Sequence, residues 1–208
     1  MDGAEGDLLL SWPHLCSGVF GACADDSYLT QAVCDDKDHT LIQVVTARRA
    51  TPTDTEYVAK YEMLPNPPVT IPIPISPGDR ISGAVQCVAN CASATQTWTL
   101  SMIDETTGYS WEQTVTYASR ELSAEWIEEA PSASGGILPL ADFDMAMLGP
   151  HLEANGKVPK LTLSENGFEM GDPYGQWANP SDAERGQNGE FNVCWYDANP
   201  AGTDCLVP

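Results

Sequence analysis

The stretch Gln96-Thr-Trp-Thr-Leu-Ser-Met102 decides the fold class, because large buried-type residues alternate along it with small polar ones. The run Trp111-Glu-Gln-Thr-Val-Thr-Tyr117 repeats this pattern after the turn Asp104-Glu-Thr-Thr-Gly108. Alternation with a period of two is typical of a half-buried β-strand, and two such runs around a glycine-containing turn are typical of a hairpin. The sequence therefore predicts an antiparallel hairpin over residues 96–117.

The same alternation recurs along the chain, and no long helical stripe of apolar residues interrupts it. Val69–Ile75 also alternates, but Pro72 and Pro74 remove two backbone donors, which predicts an edge strand or an extended segment outside the ladder. Gly171–Gly189 has little apolar content and is predicted to be a long loop. Many short strands between Gly, Pro and Asp turns predict an all-β antiparallel sandwich or barrel. Further strands are predicted at Leu41–Ala47, Tyr57–Leu64, Arg80–Val88, Lys160–Ser164 and Glu190–Tyr196.

Chain length limits the number of domains, and net charge limits the classes of partner. Residues 1–208 are expected to form one β-sandwich domain, with a less regular portion at 1–40. The chain has 30 acidic and 9 basic residues, a formal charge of −21, which disfavours nucleic acid and anionic membranes as partners. A protein with this charge is suited to an acidic environment, where many carboxylates are protonated, or to high salt, where the repulsion between them is screened. No segment approaches the roughly 18 consecutive apolar residues of a membrane span.

The cysteines favour an exported, disulfide-bonded protein. There are seven of them, and their spacing favours the pairs Cys87–Cys91 and Cys194–Cys205. The odd count leaves at least one thiol free or intermolecular, so self-association through an unpaired cysteine is expected. A zinc site is the alternative, although Cys87-x-x-x-Cys91 has no nearby histidine or second cysteine pair.

Three further blocks carry a resemblance to a known family. The first runs from Tyr57 to Asp79 and contains Tyr-Val-Ala-Lys-Tyr-Glu-Met-Leu-Pro; the others are Ser123-Ala-Glu-Trp-Ile-Glu-Glu-Ala-Pro131 and Gly136-Ile-Leu-Pro-Leu-Ala-Asp-Phe143. Their order and spacing resemble the glutamic peptidases of the G1 type, the eqolisins, especially bacterial-type members, over residues 40–197. The resemblance implies two large curved antiparallel sheets in a concanavalin-like sandwich, with a cleft on the concave face.

The resemblance also implies a catalytic pair of one glutamate and one glutamine. The family's glutamate falls on Glu125. Its glutamine lies in a strand upstream of the Tyr-Glu-Met segment, where Gln43 is the best match and Gln31 is the alternative. A third family position, in the substrate-binding part of the cleft, falls on Glu62.

These two residue types suit peptide hydrolysis in acid. A glutamate near its own pKa is a competent base at a pH where imidazole is already protonated. A glutamine amide does not titrate, so it still donates a hydrogen bond to the oxyanion of the tetrahedral intermediate. No cofactor or metal is required. We therefore expect a secreted, acid-acting glutamic endopeptidase whose partner is a peptide or protein substrate.

The cleft strand departs from the family pattern at two substrate-binding positions. The family carries large aromatic residues on either side of the Glu62 position, and this chain has Lys60 and Leu64 there. Strand alternation places these three residues on one face, so the pocket is expected to be more cationic and less aromatic. An ion pair between Lys60 and Glu62 would lower the pKa of the carboxyl group.

Two other function classes fit the sequence. The missing cleft aromatics and the odd cysteine fit a catalytically inactive domain of the same fold, with a structural or surface-assembly role. Trp177 lies in the predicted loop and fits a carbohydrate-binding sandwich module. Four tryptophans at strand periodicity are instead predicted to be core residues: Trp98, Trp111, Trp126 and Trp195. Calcium binding at turn carboxylates is a further alternative, with Asp104, Asp172 and Asp182 as candidates.

Overall fold

The described part of the chain consists of β-strands joined by turns. The structure is a computed structural model that describes residues 3–9, 26–35, 40–50, 55–119, 123–130, 132–133, 136–148, 153–154, 169–181, 191–200 and 205. The strands are β1 (Gly3–Leu9), β2 (Asp26–Asp35), β3 (Thr40–Ala50), β4 (Thr55–Met63), β5 (Val69–Pro74), β6 (Arg80–Ala89), β7 (Gln96–Asp104), β8 (Ser110–Tyr117), β9 (Ser123–Glu129), β10 (Ser132–Ala133), β11 (Gly136–Ile137), β12 (Met145–Leu148), β13 (Glu153–Ala154), β14 (Met170–Gly171), β15 (Trp177–Pro180) and β16 (Phe191–Tyr196).

The strands form two large sheets and one small hairpin. One sheet has nine strands in the order β14-β15-β16-β12-β1-β6-β7-β8, with β13 paired to β1. The other has five strands in the order β5-β4-β3-β2-β9, and β10 pairs with β11. Each of the described strand pairs is antiparallel. The predicted all-β antiparallel sandwich is confirmed.

The core lies between the two sheets. From the five-stranded sheet, Ile42 and Val44 are fully buried, and Trp126 is nearly so. The nine-stranded sheet contributes fully buried residues that alternate along β6 and β7, and these are Ile81, Val85, Trp98, Leu100 and Met102. Across the interface, the ring of Tyr61 stacks on that of Trp111 with 5.3 Å between centroids. Burial of one alternate set of side chains on each strand therefore joins the sheets.

The hairpin over residues 96–117 is confirmed as β7 and β8, with Trp98 opposite Val115. Asp104 closes its turn, because its carboxylate accepts hydrogen bonds from the backbone N–H groups of Thr106 and Thr107. The proline-containing strand β5 lies at the edge of the five-stranded sheet, as predicted.

The prediction of a long loop over Gly171–Gly189 is wrong in its first half. Gly171 and Trp177 lie opposite each other in the short antiparallel pair β14 and β15. A Cβ atom on Gly171 would lie 2.9 Å from the Trp177 ring, so glycine lets the ring pack flat against the neighbouring backbone. The segment has few apolar residues, but the contact between Trp177 and Gly171 packs the two short strands together. Residues 182–189, and the strand predicted at 160–164, lie outside the described residues.

Two disulfides confirm the local cysteine pairs. Cys87 is bonded to Cys91, and Cys194 to Cys205. Cys16 and Cys23 lie outside the described residues. Within the described residues, no helix has the length and apolar character needed to cross a membrane.

Candidate active site

A single row of residues crosses four strands of the five-stranded sheet. Glu62 on β4 is opposite Gln43 on β3. Gln43 is opposite Ala32 on β2, and Ala32 is opposite Glu125 on β9. Directly opposed residues of antiparallel strands share one face of the sheet. The register therefore brings the sequence-predicted residues Glu62, Gln43 and Glu125 to one face.

This row lies on the face turned away from the sandwich core. Ile42 and Val44, the neighbours of Gln43 along β3, face the core, and so does Trp126, the neighbour of Glu125. Because side chains alternate along a strand, Gln43 and Glu125 project to the opposite side. Gln43 is nevertheless 3% exposed, whereas Glu62 and Glu125 are half-buried. Gln43 is therefore the most buried of the three residues, and Glu62 and Glu125 on either side of it are more accessible to solvent.

Gln43 and Glu62 are joined by a direct hydrogen bond. The Nε2 group of Gln43 donates to Oε2 of Glu62 at 2.7 Å. Because only the NH₂ end of a glutamine amide donates, this contact fixes which end of the amide faces Glu62. Sequence alone assigned these two residues to one site but gave no contact between them.

Alanine separates the amide from the second carboxylate. Neighbouring strands lie about 4.8 Å apart, so the backbones at Gln43 and Glu125 are about 10 Å apart, with β2 between them. The intervening residue of the row is Ala32, whose side chain is a single methyl group. The register therefore places a small residue between the two positions that carry the long side chains of Gln43 and Glu125.

The register also separates the two candidate glutamines. Gln31 lies on β2 between Val44 and Trp126, one residue out of step with the row that contains Gln43 and Glu125. A shift of one residue moves a position to the other face of a sheet. Gln43, rather than Gln31, is the glutamine that shares the row with Glu125.

A third carboxyl group, missed by the sequence reasoning, lies on the same face. Glu129 follows Glu125 by four residues along β9, so alternation puts both on one side. Burial, and to a smaller extent the negative charges of Glu62 and Glu125, together raise the pKa of Glu129 from 4.5 to about 7. These charges act on Glu129 because the three carboxyl groups share one face. Strand alternation from Glu125 to Glu129 could have predicted from the sequence that the two carboxyl groups share one face.

The two positions that flank Glu62 differ in their structural setting. Lys60 lies on β4, opposite Val45 and Thr70, and is half-buried on the face of Glu62. Leu64 follows the end of β4, and its backbone N–H donates to the carbonyl of Leu41 at 3.0 Å. Alternation along β4 therefore places Lys60 beside Glu62, and pairing with Leu41 continues the ladder to Leu64.

A tyrosine from the other sheet holds the ends of β3 and β4 near the candidate site. The hydroxyl of Tyr117 accepts a hydrogen bond from the backbone N–H of Leu41 at 3.0 Å. It donates one to the carbonyl of Leu64 at 2.8 Å, beside the cis peptide Leu64–Pro65. Leu41 and Leu64 lie two residues from Gln43 and Glu62, respectively. Tyr117 therefore ties the part of β3 and β4 that carries the site to the sandwich core.

The structure gives other roles to the carboxylates proposed for calcium. Asp104 closes the β7–β8 turn, and Asp172 accepts hydrogen bonds from the backbone N–H groups of Leu140, Tyr174 and Gln176. Asp182 lies outside the described residues. No group of three or more His, Cys, Asp or Glu side chains in the described ranges is arranged to hold a metal ion.

The tryptophans are packed as core residues. Trp98 and Trp126 are buried, and Trp111 and Trp195 are half-buried against the core. Trp177, the residue that suggested carbohydrate binding, is half-buried and packs on Gly171. The Trp177 ring thus has a structural role, because it packs within the β14–β15 pair.

Comparisons with known proteins identify the family and the fold. A model of the Peptidase A4 family matches residues 29–167. Among solved structures, the chain is similar to aspergilloglutamic peptidase from Aspergillus niger, with a TM-score of 0.65 and 19% identity over 83% of this chain and 99% of that one. It is also similar to scytalido-glutamic peptidase, solved with a transition state analog inhibitor, with a TM-score of 0.59 and 14% identity over 94% of this chain and 92% of that one. Curated protein sequences gave no significant match.

At these identities the solved structures show a shared fold. The family match goes further, because it spans more than half of the chain and includes Gln43, Glu62 and Glu125. The resemblance to the glutamic peptidases is thereby confirmed at the level of the family. This chain belongs to the Peptidase A4 family, the eqolisins.

Proposed function

We propose that this protein is an endopeptidase that hydrolyses peptide bonds in acid through a water molecule shared by Glu125 and Gln43. The observation that carries the proposal is the row in which Gln43 and Glu125 flank Ala32 on the face away from the core. Membership of a peptidase family and the glutamic peptidase fold support the same function.

The proposed reaction uses the two residues in separate roles. The Glu125 carboxylate takes a proton from water while the water oxygen attacks the carbonyl carbon of the peptide bond. The carbonyl oxygen becomes an oxyanion and accepts a hydrogen bond from the Gln43 amide. Glu125 then gives the proton to the leaving nitrogen as the C–N bond breaks. Protons and electrons balance without a cofactor.

Substrate binding is proposed to involve Lys60 and Leu64, the two positions that flank Glu62. Lys60 is half-buried and lies two residues before Glu62 on β4, at a position where the family resemblance expects an aromatic residue. We therefore propose a cleft that accepts extended peptides with a preference different from that of aromatic-lined relatives, nearer to bacterial-type members. An exported location is supported by the disulfides Cys87–Cys91 and Cys194–Cys205.

Hydrolysis of an acid-denatured protein tests the proposal. The purified chain and its Glu125→Gln variant are compared between pH 2 and 6, with Glu112→Gln as the control for a lost negative charge. Glu112 is exposed on β8, in the other sheet. Cleavage by the wild-type chain and the control, but not by Glu125→Gln, supports the proposal. Equal background cleavage by all three chains overturns it, and an inactive domain of the same fold then takes its place.

Self-association through an unpaired cysteine stays a prediction. Light scattering of the concentrated protein with and without reductant checks it. A mass that halves on reduction supports the intermolecular disulfide, and a monomer under both conditions contradicts it.

A further inference from the structure

We infer that Glu62 is a positioning residue that holds the amide of Gln43 in its working orientation. This inference rests on the proposed function and differs from a substrate-binding role for Glu62. The inference is based on the direct hydrogen bond between the two side chains, which belong to directly opposed residues of β3 and β4.

The contact is built into the sheet. Gln43 and Glu62 are directly opposed on neighbouring strands, so their Cβ atoms are held at the separation of a cross-strand pair. Gln43 is 3% exposed, and its Nε2 group donates to Oε2 of Glu62 at 2.7 Å. A buried amide has few alternative conformations, so the carboxylate beside it determines which of them is adopted.

The chemistry of an amide makes its orientation important. The two ends of a glutamine side chain have nearly the same shape, but one end donates hydrogen bonds and the other accepts them. In the observed contact the carboxyl oxygen of Glu62 accepts, so it is the donating NH₂ end of Gln43 that faces Glu62. The two N–H bonds of that group lie in one plane at a fixed angle. Fixing one towards Glu62 therefore fixes the direction of the second, which the proposed reaction needs for the oxyanion.

The two roles for Glu62 predict different kinetics. A residue that binds substrate equally in the ground and transition states changes KM when it is removed. A residue that acts through Gln43 changes kcat, and it has no further effect once the amide is absent. Glu62→Gln keeps the shape of the side chain but presents an amide in place of the carboxylate, so it relaxes the selection of the NH₂ end.

A double-mutant cycle tests the inference. kcat and KM for one peptide are measured for the wild type, Glu62→Gln, Gln43→Ala and the double variant, with Glu112→Gln as the charge control. We expect Glu62→Gln to lower kcat by about tenfold to a hundredfold, since a whole oxyanion donor is worth about 10²–10³. KM should change by less than about twofold, and Glu62→Gln should leave the residual kcat of Gln43→Ala unchanged.

The outcomes separate this inference from the proposed function. Equal losses of kcat in both backgrounds, or a raised KM with an unchanged kcat, overturn the positioning role while the peptidase function stands. If the wild-type chain is no more active than Glu125→Gln, the proposed function fails and the positioning role falls with it. Should Glu62→Gln not fold by circular dichroism, Glu62→Asp is used in the same cycle, because it keeps the charge but shortens the reach to the amide.

Discussion

Gln43 and Glu125 flank Ala32 in one row of the five-stranded sheet, on the face away from the core. The two residues are far apart in the chain, and three strands are needed to bring them into line. Under the proposed function, the amide and the carboxylate on either side of this small residue act on one water molecule as hydrogen-bond donor and base. The predictions below follow from this arrangement.

Replacing Glu125 by glutamine should abolish peptide hydrolysis while leaving the fold intact. The substitution removes the base and the proton donor, each typically worth about 10²–10⁴ in rate. Glu125 is half-buried at the cleft face, so an isosteric amide disturbs little packing. Peptide cleavage at acid pH and the thermal unfolding midpoint are the two measurements. Activity within about threefold of wild type would contradict the assigned role.

Replacing Gln43 by leucine should lower kcat by about 10²–10³, the usual effect of losing one oxyanion donor. The same change at Gln31 is the matched comparison, because Gln31 lies one residue out of step with the row. Single-substrate kinetics on both variants provide the check. A larger loss of kcat for the folded Gln31 variant than for the Gln43 variant would reverse the assignment of the amide.

Glu129 should make the protein less stable as the pH rises from about 4.5 to about 7, because its pKa is raised over that interval in the folded state. Between these values the folded state binds more protons than the unfolded state, so the free energy of unfolding falls with pH. Below the interval the group is protonated in both states and has no effect; above it the penalty is complete. The shift corresponds to about 3 kcal/mol.

The Glu129→Gln variant isolates this contribution. It should match the wild type in denaturant midpoint near pH 4 and exceed it near pH 8. Urea titrations at both pH values measure the difference, with Glu112→Gln as the control for net charge. An equal gain at both pH values would mean that a contribution other than the titration of Glu129 is being measured.

Replacing Tyr117 by phenylalanine should destabilise the end of the cleft strands. The variant keeps the ring but removes the hydroxyl that bonds to the backbone of Leu41 and Leu64. Leaving two partly buried backbone groups without this partner costs about 1–3 kcal/mol. Hydrogen exchange should accelerate at Leu41, whose N–H loses its acceptor. Unchanged exchange there would show that the hydroxyl does not hold these strands.

The local parts of the fold could be predicted from the sequence, and the long-range register could not. The β7–β8 hairpin, the proline-bearing edge strand β5 and the Cys87–Cys91 bridge involve neighbours in the chain, where turn residues and alternation act directly. The choice between Gln43 and Gln31 depended on pairing among β2, β3 and β9. Alternation gives the period of a strand but not its register with a partner strand. Both glutamines therefore remained candidates for the catalytic amide.

The residues of the candidate site could be named from the sequence, and the contacts between them could not. Resemblance brought Glu62 and Gln43 to one cleft, while the hydrogen bond between them depends on their being directly opposed across β3 and β4. The resemblance assigns a role only to Glu125 on this strand, so Glu129 was not predicted as part of the site. The raised pKa of Glu129 comes from burial, which a strand pattern does not reveal without the other strands of the sheet.

A crystal structure of the protein at acid pH, at a resolution that orders water, tests the central claim most directly. We expect one water molecule within about 3 Å of both the Gln43 amide and a Glu125 carboxylate oxygen, the reach needed for proton transfer. If the two groups instead bind separate solvent and point away from each other in the wild-type chain, the shared-water account is contradicted.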